Sequence, residues 1–146
     1  MEKETKKKTV KAVKVSKKDN YYYALGRNKT SVATVRLYSG KGDTFINGKI
    51  FEEYYTDLFS KYTILKPFTL TGTQDAFYFT VKTKGGGINS QIKAISLAIS
   101  RALSKINPEY KTTLSKNDML KRDPRMVERK KYYRVKARKS PQFSKR

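Results

Sequence analysis

The chain has 146 residues, room for one modest domain with extensions, and its 34 Lys and Arg against 12 Asp and Glu give a net charge of +22 and a pI near 10.1. It contains neither Cys nor His, which removes disulfides, thiolate and imidazole metal sites and His-based catalytic triads. No apolar run approaches the roughly 18 residues of a membrane span, so the expected partner of so basic a chain is a polyanion, most often nucleic acid, and not a membrane.

The charge sits mostly at the two ends. Residues 1–18 hold eight Lys and two Glu, a net +6; residues 121–146 hold twelve Lys or Arg against Asp123 and Glu128, a net +10; the stretch between carries the remaining +6. This is the pattern of a folded anchor with arms laid on a polyanion. The expected division is a basic N-terminal arm over 1–20, an α/β body over 21–120 and an extended basic C-terminal tail over 121–146. In the arm, Val10, Val13 and Val15 are too few to make a core, so it is expected to be disordered when free. It has no apolar stretch of the secretory type, and the lack of Arg before Arg27 speaks against an organellar transit peptide.

Residues 21–25 are β-prone and end at Gly26; residues 30–38 form a second β-branched run. The link between them, Gly26, Arg27, Asn28 and Lys29, reads as a hairpin loop or as a phosphate contact. Residues 44–46 predict a short strand, Asn47 and Gly48 a type I′ turn, and Lys49 and Ile50 the return. Residues 51–59 read as an amphipathic helix whose Glu52, Glu53 and Asp57 form a solvated face. Pro67 is expected to open an extended piece, and Phe77, Phe79 and Val81, alternating with polar neighbours, a half-buried strand. Ile88, Ile92, Ile95, Ile99, Ala102 with Leu103, and Ile106 fall in steps of three and four, which predicts a helix ended by Asn107 and Pro108. Lys93, Arg101 and Lys105 lie on its other face. A short helix anchored by Tyr110 and Leu114 is expected within 108–120.

Between the last strand and that helix stand Lys82, Lys84, Gly85, Gly86 and Gly87. Three glycines there suit a tight turn needing φ > 0, and equally a cradle in which backbone N–H groups meet an anion at a helix N-terminus. Neither the dinucleotide fingerprint nor the P-loop spacing is present. In the tail, arginine forks suit phosphate, and Tyr132, Tyr133 and Phe143 are interleaved with the charges where rings can stack on bases.

Several motifs in order carry a resemblance. Gly26-Arg27-Asn28-Lys29-Thr30-Ser31-Val32-Ala33, Phe45-Ile46-Asn47-Gly48-Lys49, Leu70-Thr71-Gly72-Thr73, Lys84-Gly85-Gly86-Gly87-Ile88, Arg122-Asp123-Pro124-Arg125-Met126-Val127-Glu128-Arg129-Lys130-Lys131 and Pro141-Gln142-Phe143-Ser144-Lys145-Arg146 together resemble the bacterial-type family of the ninth small-subunit ribosomal protein, from about Tyr21 to the last residue. The resemblance implies a two-layer α/β sandwich like the second domain of ribosomal protein S-five, a sheet backed by two helices. It implies a non-enzymatic constituent of the small ribosomal subunit, without cofactor or metal, whose tail threads head rRNA towards the P-site tRNA anticodon stem-loop. Carried over by position, Ser144, Lys145 and Arg146 face the tRNA. Arg27, Lys29, Lys82, Lys84, Gly85, Gly86, Gly87, Arg122, Arg125, Arg129, Lys130, Lys131, Arg134, Lys136, Arg138 and Lys139 face rRNA, and head proteins are neighbours.

The chain departs from the family pattern at three places: Asn28 in place of a second basic residue, Ser90 where a Gly commonly follows the triple-glycine turn, and Tyr132 with Tyr133 in place of a small or Pro-Gly pair. The implied location is the ribosome, of a bacterial cytoplasm or of a mitochondrion or plastid. Two other classes compete. A small-molecule kinase of the same superfold would use residues 85–90 for a nucleotide phosphate but needs grouped metal-holding carboxylates; a free nucleic-acid chaperone or DNA-compacting protein would satisfy the charge alone.

Overall fold

The computed structural model describes residues 20–145; the expected arm therefore lies, apart from Asn20, outside the described residues, as does Arg146. The order of elements is β1 (Tyr21–Asn28), β2 (Ser31–Ser39), β3 (Phe45–Ile46), β4 (Lys49–Ile50), α1 (Phe51–Tyr54), α2 (Leu58–Thr71), β5 (Phe77–Lys84), α3 (Ile88–Ile106) and α4 (Pro108–Lys116). They build a mixed α/β fold on one five-stranded sheet, in the order β1-β2-β5-β3-β4. β2 pairs antiparallel with β1 and β5, whereas β3 runs parallel to β5. Among the described residues no helix is long and apolar enough to cross a membrane.

The strands alternate as period-2 patterning requires. Ala24, Val35, Val81 and Ile46 lie side by side in register, as do Leu37 and Phe79, and all are buried. Against this face lies α3, whose Ile92, Ile95, Ile99, Ala102 and Leu103 are buried as the stripe predicts. Each large aliphatic side chain buried there contributes roughly 1.5–3 kcal/mol. Ile64 and Phe68 of α2, Phe51 and Tyr55, and Leu114 of α4 complete the same core. Gly26 sets the approach of α3: a methyl on it would fall on the Ala94 carbonyl oxygen and 2.7 Å from the Ala98 amide nitrogen. It therefore lies inside β1, facing the helix, rather than ending the strand.

Two further expectations need correction. The helix expected over 51–59 breaks after Tyr54, because Tyr55 turns extended (φ −116°, ψ 100°) and Asp57 becomes the N-cap of a new helix, accepting from the Ser60 amide at 3.1 Å. Pro67 opens no extended piece; it sits inside α2, which closes at Gly72 in the left-handed region (φ 66°). A proline there costs an intrahelical hydrogen bond, offset by the burial of Ile64, Pro67 and Phe68. The Asn47-Gly48 turn has both central residues at positive φ, 50° and 83°, as type I′ requires. Asn47 also ties that hairpin to β5 by accepting from the Thr83 amide at 2.8 Å and donating to the Thr83 hydroxyl at 2.9 Å.

β1 is an edge strand, and exposed edge carbonyls invite unwanted pairing. Arg101 donates to the Leu25 carbonyl at 2.8 Å and Lys105 to the Tyr23 carbonyl at 2.7 Å. Two cations of α3's polar face thus serve the fold.

Candidate nucleic-acid interface

The basic residues of the body converge on one end of the sheet. β1 and β2 are joined by Lys29 and Thr30, with Lys29 in the left-handed region (φ 51°). Arg27 stands opposite Val32, and Val32 opposite Lys84, so Arg27 and Lys84 share one lateral row; Lys82 lies one row further along the same face. Arg27, Lys29, Lys82 and Lys84 are all exposed. Asn28 is buried, so it presents nothing to a phosphate at this corner.

The glycine turn packs against this hairpin. Gly85 and Gly86 have φ of 78° and 63°, a conformation L side chains rarely adopt. A Cβ on Gly86 would collide with the Ser31 hydroxyl, and that hydroxyl donates to the Gly85 carbonyl at 3.1 Å. The geometry thus accounts for the tight-turn reading of these glycines. Gly85, Gly86 and Gly87 are solvent-exposed beside Lys84, and Gly87 caps α3 with no side chain over the helix end. Ser90 lies in the first turn of α3, its amide donating to the Gly87 carbonyl at 3.0 Å, so a serine fits there as well as a glycine.

The tail leaves the body from a fixed root. Met119 and Leu120 pack on the core, the Ser96 hydroxyl approaches the Met119 sulfur, and the Met119 amide donates to the Leu114 carbonyl at 3.0 Å. Beyond Leu120 the described chain contains no helix or strand. Both tail acids are taken by arginines. Arg125 forks onto Asp123 (Nε to Oδ1 3.1 Å), and Arg138 onto Glu128 (2.6 and 3.0 Å). The hydrogen bond and charge of Arg125, with Lys93 of α3 adding a smaller field, hold the Asp123 carboxyl below the usual carboxylate range. Arg138, with Lys131, does the same for Glu128. Both arginines are exposed and Asp123 is only half-buried, and such surface pairs are worth little to stability; what they do is curl the chain locally.

That curl is tightest at 133–139, where Arg134 donates to the Arg138 carbonyl at 2.7 Å and the Val135 amide to the Lys139 carbonyl at 2.8 Å. It begins at Tyr133, which takes φ 56°. The chain therefore takes a glycine-like conformation at Tyr133, at a cost of roughly 1–2 kcal/mol for a residue with a Cβ. Tyr132 packs edge-on against Tyr133 at 5.8 Å, yet both rings, like Phe143, face solvent.

The structure brings Arg27, Lys29, Lys84 and the glycine turn together and keeps Lys82 close by. It strings Arg122, Arg125, Arg129, Lys130, Lys131, Arg134, Lys136, Arg138 and Lys139 along the exposed tail, and leaves Ser144 and Lys145 at its described end. Arg122, Arg129, Lys130, Lys136, Lys139 and Lys145 make no ion pair among the described residues. Nor does any group of three or more acidic side chains come together there to hold a metal ion.

Residues 26–146, most of the body and the whole tail, match the family described as Ribosomal protein S9/S16. The chain belongs to that family. It is 48% identical over 122 residues to the small ribosomal subunit protein uS9 of Chlorobaculum tepidum, covering 84% of this chain and 95% of that protein. It is 49% identical, over the same shares, to the uS9 of Chlorobaculum parvum. As an S9-family protein it has relatives that are named for the ribosome and not for an enzymatic activity. The family match starts at Gly26, the residue that seats β1 on α3, and runs through the last residue, so the interface residues of body and tail all fall inside it.

Proposed function

We propose that this protein is a structural, non-enzymatic constituent of the small ribosomal subunit. A body of the ribosomal protein S-five second-domain kind (21–120) seats on rRNA of the head beside neighbouring head proteins. The tail (121–146) follows rRNA towards the P-site tRNA. The observation that carries this reading is the tail itself: a family-matched run of exposed cations without regular structure, rooted in the core at Met119 and Leu120. Such a segment gains its order from a polyanion, whose phosphates relieve its self-repulsion. On this reading Arg27, Lys29, Lys82, Lys84 and the Gly85–Gly87 turn form the body's rRNA corner. The tail cations from Arg122 to Lys139 track rRNA, and Ser144, Lys145 and Arg146 meet the tRNA anticodon stem-loop. The bacterial source of both relatives favours a bacterial ribosome over an organellar one.

The test is filter binding of deacylated tRNA to reconstituted small subunits carrying either the full chain or a chain lacking residues 143–146. Assembly should be spared, because the upstream contacts remain. P-site retention should weaken by roughly one to a few kcal/mol, the scale of one or two charge-assisted contacts. Equal affinities with the trimmed chain incorporated would reject the tRNA role and leave the tip as an rRNA anchor.

A further inference from the structure

The helices cover one face of the sheet, and the opposite face is organised in a way that the tail and the glycine corner do not explain. Four lateral rows cross it in register: Tyr21, Tyr38 and Tyr78; Tyr23, Arg36, Thr80 and Phe45; Leu25, Thr34 and Lys82; Arg27, Val32 and Lys84. Rows two residues apart along a strand are spaced by about 6.6 Å. The first row is a packed aromatic end: Tyr38 stacks on Tyr78 at 5.0 Å and 11°, and Tyr21 tilts against Tyr38 at 5.8 Å. Arg36 lies over the Tyr21 ring, 5.1 Å from its centroid, which fixes the guanidinium on the face. Tyr23 stands beside Arg36, 48% exposed. From there to the glycine corner the face presents Arg36, Lys82, Arg27 and Lys84, all exposed and without an ion pair among the described residues. None of the five strands carries an acid.

We infer that this open face extends the glycine corner into an RNA platform, on which an unpaired nucleotide stacks on Tyr23 while the phosphates that follow it run past Arg36 and Lys82 to Arg27 and Lys84. The inference rests on the ribosomal reading for its partner and for the corner cations, and adds a stacking mode of contact and two residues that the reading does not use, Tyr23 and Arg36. Charge complementarity selects the occupant. The lysine-rich segment 1–18, at +6, would be repelled by four cations, and so would the same face of a second copy. A tyrosine ring flanked by cations on a sheet is suited to a single-stranded base, since stacking needs a free ring face and the phosphates need the charges. An A-form duplex would offer no free base to Tyr23.

The experiment uses the full chain and small-subunit head rRNA fragments, with affinity measured over a series of salt concentrations. Tyr23→Ala should weaken binding by about tenfold with the salt slope unchanged, because a lost stack removes no phosphate contact. Tyr23→Phe should restore wild-type affinity. Arg36→Gln should lower the slope by about one phosphate's worth. Tyr22→Ala, whose side chain points to the opposite face, should change neither. Melting curves of each variant report folding, and Tyr23→Phe with Arg36→Gln still decides the matter if Tyr23→Ala fails to fold. A wild-type chain that binds rRNA with Tyr23→Ala and Arg36→Gln indistinguishable from it overturns the platform and leaves the tail reading standing. A chain that does not bind rRNA overturns both. A dimer in sedimentation that Tyr23→Ala dissociates would put a second copy on the face and also overturn the inference.

Discussion

Replacing Gly26 by Ala should be among the most damaging single-methyl changes available in this fold. The new Cβ would lie on the Ala94 carbonyl oxygen, 2.7 Å from the Ala98 amide nitrogen and 3.0 Å from the Ala98 methyl. Ordinary non-bonded carbon contacts begin near ~3.5 Å, so α3 would have to withdraw from β1 by about 1 Å or more. Two of the three obstacles are helix backbone, which cannot rotate aside as a side chain can. Ala94 and Ala98 are fully buried, so withdrawal also opens the packing of α3 across β1 and β2. Overpacking of this kind costs about 1–3 kcal/mol when side chains can yield, which puts a backbone collision at about 3 kcal/mol or more. For a body of this size that corresponds to a fall in Tm of roughly 12–24 °C. The assay is thermal unfolding followed by circular dichroism. The double variant Gly26→Ala with Ala98→Gly removes only the methyl obstacle, so it should recover less than half of the loss. A fall in Tm below about 4 °C for the single variant, or full recovery in the double, would refute the claim that helix backbone sets the β1–α3 distance.

Tyr55 is 3% exposed and its hydroxyl finds no hydrogen-bond partner among the described residues; Tyr55→Phe should therefore raise stability by about 1 kcal/mol in urea unfolding. Burial first, and the neighbouring Tyr54 second, push the Tyr55 phenol up to about 12 from 10.0. A group whose pKa is raised on folding lends stability below its unfolded value and loses it as pH climbs, so the wild-type body should weaken between pH 10 and 12, and Tyr55→Phe should weaken less. Deleting 121–146 should leave a cooperatively unfolding body, because Met119 and Leu120 remain to close the core; loss of the transition would show that the tail packs on the body. Arg129→Ala should lower the slope of log K against log salt for rRNA by about one unit. Arg138→Ala should lower it by less, because its guanidinium is already forked onto Glu128.

The parts of the fold with a regular period are legible in the sequence. The Ile92, Ile95, Ile99, Leu103 stripe marked α3, the Phe79 and Val81 alternation marked β5, and Asn47-Gly48 marked a hairpin, because in each case burial and local geometry ask for the same residues. α2 was illegible for a physical reason. It buries Ile64, Pro67 and Phe68 yet turns Leu58, Phe59 and Tyr62 to solvent, so apolar residues surround it and no stripe survives. Its brackets were in the sequence nonetheless, Asp57 as an N-cap and Gly72 as a left-handed C-cap. The sequence puts Gly26 at a strand end because a glycine serving close approach looks the same in sequence as one serving a turn.

At the interface, the sequence located the cations but not their employment. Nothing in spacing alone distinguishes Arg101 and Lys105, which seal the edge of β1, from Lys82 and Lys84, which face outward. Nor does composition show that Asp123 and Glu128 each hold an arginine and curl the tail. The pairing of Arg36 with Tyr23 is invisible in the sequence because it depends on strand register, which places them side by side across β1 and β2.

Residence of this chain in the small ribosomal subunit can be read most directly from sedimentation of the native protein from cell lysate on a sucrose gradient. Co-migration with small subunits through a moderate-salt wash is expected, with release only as salt is raised further, because each neutralised phosphate steepens the salt dependence. Recovery at the top of the gradient, or in the washed-off fraction with RNA and duplex DNA bound alike, would contradict it and mark the protein as a free nucleic-acid chaperone.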